Sequence, residues 1–277
     1  MHKYTKIMFT KHLEGLDLGA IITSLKSANV AGADLAVRHG CPVDPDNIST
    51  ALPEAAKAFA DEGLVIPLVT GPTDFNQPDI QYAERFYGAC GEAGVGHIKL
   101  GYWHWKPEKH YWNQLDEVRG HLDGFQKLSE KTGVKTVVHN HSGKSMGLNS
   151  CAAMNIVKGF DPAHIGVFAD PGHLSLCGEP IEMALDIVRD YLCALAVKDL
   201  TTRRPAGRAE QGPPTTGSVR LGTGLGDWPA LVRALKKIDF QGPISFHSEY
   251  SGEVVDTVVD LCRIDVRFFE NFWNATD

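Results

Sequence analysis

Eight times along the chain a short, β-rich apolar run leads through helix-compatible residues into the next such run, and no linker separates the repeats. That rhythm is what parallel strands joined by crossover helices require. Strand-like runs fall at 6–9, 33–38, 65–69, 97–101, 135–139, 165–169, 193–197 and 244–247. Helical spacing is read at 18–27, 51–62, 82–89, 112–131, 181–189, 229–238 and 254–272, with Gly63 and Gly133 as stops. Eight strands favour a closed (β/α)8 TIM barrel over an open doubly wound sheet, which usually carries fewer. The expected fold is a single α/β domain over residues 1–277, a length that one such barrel fills. One long stretch, 201–226, carries neither pattern. It is expected to be an irregular loop over the C-terminal mouth, either a lid on the substrate or a plain surface loop.

Composition excludes several other classes. With 43% hydrophobic and 22% charged residues, the chain has a globular make-up, and no segment has the apolar length to span a bilayer. A formal charge of −7 argues against nucleic acid as the main partner. The polar start MHKYTKIMFTKHL lacks the apolar core and cleavage site of a secretory signal, so a cytoplasmic location is expected. Cys41, Cys90, Cys151, Cys177, Cys193 and Cys262 form no CxxC pair and read as reduced packing residues. A homo-oligomer is left open.

Polar groups gather at the C-terminal ends of the late strands, where barrels of this kind place their chemistry. The fifth strand ends VVHNHSG, so His139 and His141 share one face; the sixth ends in Asp170, with His173 just beyond. Ala196 and Lys198 share a face on the seventh, and His247 and Glu249 on the eighth. Imidazole and carboxylate converging from separate strands suit zinc, manganese, cobalt or iron with open positions for substrate oxygens. Each residue also has a plainer reading. A lone histidine at a strand end is more often a hydrogen-bonded loop residue, Asp170 before Pro171 could open a turn, and Lys198 with Asp199 could be a surface ion pair. Tyr102, Trp103 and Trp105 suit either packing or stacking on a sugar ring.

With FTKHL, HNH, DPGHL, AVKD, LGTGLGDWPAL and GPISFHSEY in order along nearly the whole chain, the sequence resembles the sugar phosphate isomerase and epimerase superfamily. That superfamily has a xylose-isomerase-like barrel and includes endonuclease IV, inosose dehydratase and ketose 3-epimerases. Its epimerases hold metal with Glu, Asp, His and Glu, and the two glutamates also move protons. The resemblance puts those four roles on His139, Asp170, Ala196 and His247. Ala196 cannot ligate, and the paired glutamates are gone.

The resemblance implies an enzyme that enolises a sugar or cyclitol carbonyl with a divalent metal (Mn, Co, Zn or Mg). His139, Asp170 and His247 are its expected ligands. His173, Lys198, Glu249 and His141 are the expected catalytic groups, and His12, Arg38, Trp103, Trp105 and Arg203 the expected substrate contacts. Isomerisation, epimerisation and elimination from a keto-sugar all stay open, with elimination favoured because one base suffices for it. An endonuclease IV-like phosphodiesterase and a non-catalytic sugar-binding barrel are the alternatives. A small-molecule sugar or cyclitol is the expected partner, with neither nucleic acid nor membrane.

Overall fold

A computed structural model describes residues 4–204, 214–250 and 252–275. In chain order the strands are β1 (Thr5–Phe9), β2 (Gly32–Ala36), β3 (Val65–Thr70), β4 (His97–Lys99), β5 (Lys135–His139), β6 (Ile165–Ala169) and β7 (Leu192–Val197). An antiparallel pair follows, β8 (Asp199–Arg203) and β9 (Thr215–Val219), and then β10 (Pro243–Phe246). β1 to β7 and β10 form a closed parallel barrel in which β10 pairs with both β7 and β1. The barrel that the eightfold rhythm implies is the one present.

The helices are α1 (Leu18–Ser27), α2 (Ile48–Asp61), α3 (Ala83–Glu92), α4 (Tyr111–Thr132), α5 (Ser150–Val157), α6 (Pro171–Leu176), α7 (Ile181–Val188), α8 (Trp228–Lys237) and α9 (Val255–Ala275). Asp17, Asn149 and Asp227 cap α1, α5 and α8 by accepting from Ala20, Ala152 and Ala230 N–H. Gly133, at φ 73°, ends α4 in the left-handed conformation. No described helix is long and apolar enough to cross a membrane.

Strands sandwiched between a filled barrel and a helical shell are buried on both faces, which is why they read as continuous apolar runs. Ile7, Leu68, Val137, Phe168, Ala194 and Ala196 fill the interior, and a larger apolar cluster lies between strands and helices. Removing Phe168 from such a filled interior would cost about 3–5 kcal/mol.

Two expectations are corrected. Helices α5 and α6 were not read from the sequence; their local signals are the Asn149 cap of α5 and the Asp170–Pro171 start of α6. The stretch 201–226 is not irregular throughout. Two short Thr-rich runs, Asp199–Arg203 and Thr215–Val219, pair as the β8–β9 ribbon, and without a period-2 pattern they are not legible beside the Gly- and Pro-rich centre. Residues 205–213 of the expected lid lie outside the described residues.

Candidate functional site at the barrel mouth

Alternation along β5 carries His139 to the mouth: Val137 fills the interior and His139, two residues on, rises above it with its ring 4.7 Å from that of Phe168. The middle residue of the HNH run clamps the neighbouring strand. Asn140 donates to Asp170 O at 3.3 Å and accepts from Asp170 N at 2.6 Å, fixing the tip of β6 against β5. Asp170 is wholly buried, and its Oδ1 accepts from His173 N as the cap of α6.

Asp170 Oδ2 lies 3.2 Å from Lys198 Nζ, 3.4 Å from His139 Nε2 and 3.7 Å from His173 Nε2. Burial pushes its carboxyl up, but the Lys198 ammonium beside it leads the opposing effects and holds it well below the usual carboxylate range. Lys198 also reaches Glu249 Oε2 at 2.9 Å, and Glu249 Oε1 takes Lys11 Nζ at 2.9 Å. Against the pull of burial, Lys198, His247 and Lys11 keep Glu249 an anion, a weaker base than the sequence reading expects. Burial holds the His139, His141 and His173 rings neutral, His173 down to about 3. His141 and His173 stack at 3.8 Å, and Ser142 Oγ meets His173 Nδ1 at 2.8 Å.

On the other flank, His247 follows β10, with Nε2 3.6 Å from Asp34 Oδ2. Asp34 is a buried carboxylate inside β2 that accepts from Thr70 Oγ1 at 2.6 Å and Ser245 Oγ at 3.0 Å. The backbone next to His247 is strained: Ser248 has φ 29°, and Asp265 holds it by accepting from Ser248 Oγ and Tyr250 Oη, each at 2.9 Å. Lys11, Arg38, Thr70, Lys99, Tyr102, His139, His141, Lys198, His247 and Glu249 share one cavity.

Asp199 is not a surface ion-pair residue. It is buried and accepts from Gly222, Gly224 and Gly226 N–H and from Trp228 Nε1, tying the foot of the ribbon to the loop before α8. A Cβ at Gly224 would meet Asp199 Oδ1 at 2.3 Å, so only glycine fits there. The ribbon's Thr202, Thr216, Gly217 and Ser218 form a recess with His141, His173 and Glu249.

The fit to a divalent ion can be judged from the atoms left unused. His139 Nε2, His173 Nε2, both His247 ring nitrogens and Asp170 Oδ2 are buried without a hydrogen-bond partner. Imidazole nitrogen with carboxylate oxygen is a donor set such ions accept, so the residues fit in kind. The expected ligand atoms do not stand mutually within 4.8 Å. Among the described residues only His39, Asp44 and Asp46 do, at the surface.

The sequence matches the family described as xylose isomerase-like TIM barrel over residues 22–270. The chain belongs to that family. No curated protein matches it in sequence. Among solved structures, this xylose isomerase-like barrel is similar to an E. coli 3-keto-D-glucoside 4-epimerase, with 15% identity, TM-score 0.74, and 97% of this chain and 100% of that one covered. It is similar to an L-ribulose 3-epimerase, with 14% identity, TM-score 0.74 and coverage of 98% and 95%. It also resembles a zinc-bound IolI protein, with 16% identity, TM-score 0.76 and coverage of 98% and 100%.

The remaining expected contacts divide. Arg38 lines the cavity, and His12, on the turn after β1, has its Nε2 buried without a partner. Trp103 instead donates to Asn76 O at 2.8 Å and borders a separate recess, Trp105 is 40% exposed, and Arg203 is exposed on the ribbon. Asp34, Lys99 and Asp265 were missed, while Tyr102, read as an aromatic for packing or stacking, does line the cavity. A charged residue within an otherwise apolar strand, as in GADLA or HIKL, was the available signal for the first two.

Proposed function

We propose that this barrel is a sugar epimerase- or isomerase-like enzyme that moves a proton on the carbon beside a sugar or cyclitol carbonyl. What carries the reading is the set of buried ring nitrogens without a hydrogen-bond partner on His139 and His247, which line one cavity beside Asp170. His139, Asp170 and His247 would hold a divalent ion. With its proton on Nδ1, His139 donates to Tyr102 Oη at 2.9 Å and keeps its Nε2 lone pair free. Bound there, such an ion supplies Lewis-acid polarisation of a substrate oxygen.

The chain's own groups would handle the proton. Burial holds His141 and His173 neutral; His141 would take the proton, since a lowering to about 3 leaves His173 a weak base better suited to orienting the substrate. His12, which burial also holds low, follows β1, the strand across the barrel from β5. Imidazoles on opposite walls supply what epimerisation needs, removal at one face and return at the other. This placement favours epimerisation or isomerisation over elimination, whose one-base argument overlooked His12. Lys198, kept an ammonium by Asp170 and Glu249 despite burial, would orient the substrate oxygens.

The test is product analysis after incubating metal-loaded protein with a 3-keto-glucoside and with common ketoses. Epimers or isomers are expected; enone absorbance without either would move the reading to elimination. Asp170→Ala should lose most bound metal, and wild-type metal content in that variant would overturn the ligand assignment.

A further inference from the structure

Lys99 has no role in the reading above, although it ends β4 inside the mouth. Its side chain is buried, with Nζ 3.8 Å from the centroid of the Tyr102 ring. Among the described residues no hydrogen bond or ion pair engages that nitrogen. Lys198, equally buried, has two carboxylates on its ammonium. A buried ammonium with no counter-ion is costly, and releasing its proton removes the cost. Asp34 exerts the strongest charge effect and opposes that release, as Glu249 does more weakly, while Arg38 and Lys198 add repulsion. Burial and these neighbours bring the Lys99 amine down to about 7, where a large share is uncharged and nucleophilic.

We propose that Lys99 Nζ is a covalent carbonyl site that forms an imine with a keto substrate in this cavity. The inference rests on the reading that the mouth takes a keto-sugar. The Nζ lone pair adds to the carbonyl carbon and the carbonyl π pair moves to oxygen. Water then leaves, carrying off the carbonyl oxygen and both amine hydrogens, and a C=N bond remains. A solvent proton converts the imine to an iminium. When a neutral imidazole such as His141 removes the adjacent C–H proton, the bond electrons flow to the iminium nitrogen and give an enamine. Reprotonation at carbon and hydrolysis return the amine and the product. No oxidant or reductant is needed.

The probe is 1,3-dihydroxyacetone with cyanoborohydride at pH 7, followed by peptide mapping by mass spectrometry. An ordinary lysine is uncharged in only about one molecule in 10³ at that pH. Lys99 should therefore label at least on the order of tenfold faster than any other lysine, despite its restricted access. Lys99→Met should lose that fast adduct and leave the slow surface labelling unchanged. Labelling of Lys99 no faster than that of surface lysines in the wild-type protein would overturn the proposal, and this arm needs no variant to fold. Failure of the metal reading is distinguishable: Lys99 would label normally while Asp170→Ala kept its metal.

Discussion

On the β5-to-β10 side of the mouth the buried charges are matched: Asp170 faces Lys198, and Glu249 links Lys198 to Lys11. On the β2-to-β4 side, Arg38 and Lys99 have no ion pair among the described residues. The difference teaches how one low-dielectric pocket sets two lysines to different tasks. A partnered ammonium keeps its charge and can anchor oxygens, whereas an unpartnered one tends to lose its proton and gain a lone pair.

The sharpest way to break this comparison is to delete each cation. Lys198→Met leaves Asp170 and Glu249 without their shared partner, and unfolding in urea should show a loss of about 3–5 kcal/mol. Lys99→Met removes a buried amine that no carboxylate pairs with, so at pH 7 stability should hold or rise instead of falling. Equal losses would show that the two sides do not differ.

A smaller effect concerns pH, and it separates the sides by window. His173 titrates near 3 in the fold against 6.5 ordinarily, so below 6.5 the unfolded chain takes up a proton that the folded chain refuses. Stability present above pH 6.5 should fall as pH drops toward 3, with His139, His141 and His12 acting in the same direction. Lys99, lowered from 10.5 to about 7, makes stability rise across that upper window. Urea midpoints against pH should show both slopes, and Lys99→Met should lose only the upper one. The smallest effect is expected away from both sides: Trp105→Ala should change stability by no more than about 0.5 kcal/mol and leave turnover within about twofold.

Legibility in the sequence followed geometry. The barrel could be read because each buried strand is a continuous apolar run between helical stretches. His139, Asp170, Lys198 and His247 could be read because polar residues at strand tips stand out against those runs. Asp34 and Lys99 could not be read so easily, since one charged residue within five or three residues of strand looks like a break in a pattern. Asp265 is on α9, far in sequence from Ser248 and Tyr250, and only folding brings it under them. Trp103 shows the reverse error. An aromatic beside the mouth in sequence turns away from it, because the loop after β4 folds outward onto Asn76.

The measurement that bears most directly on the central claim is solvent deuterium exchange, followed by NMR, on a 3-keto-glucoside and a ketose incubated in D2O. Deuterium should enter at the carbon beside the carbonyl in both starting material and epimer. His12→Gln should keep exchange in the starting material while slowing formation of the epimer by about 10²-fold or more. Unchanged C–H signals with wild-type, metal-loaded protein on every keto substrate would contradict a proton-moving site at this mouth.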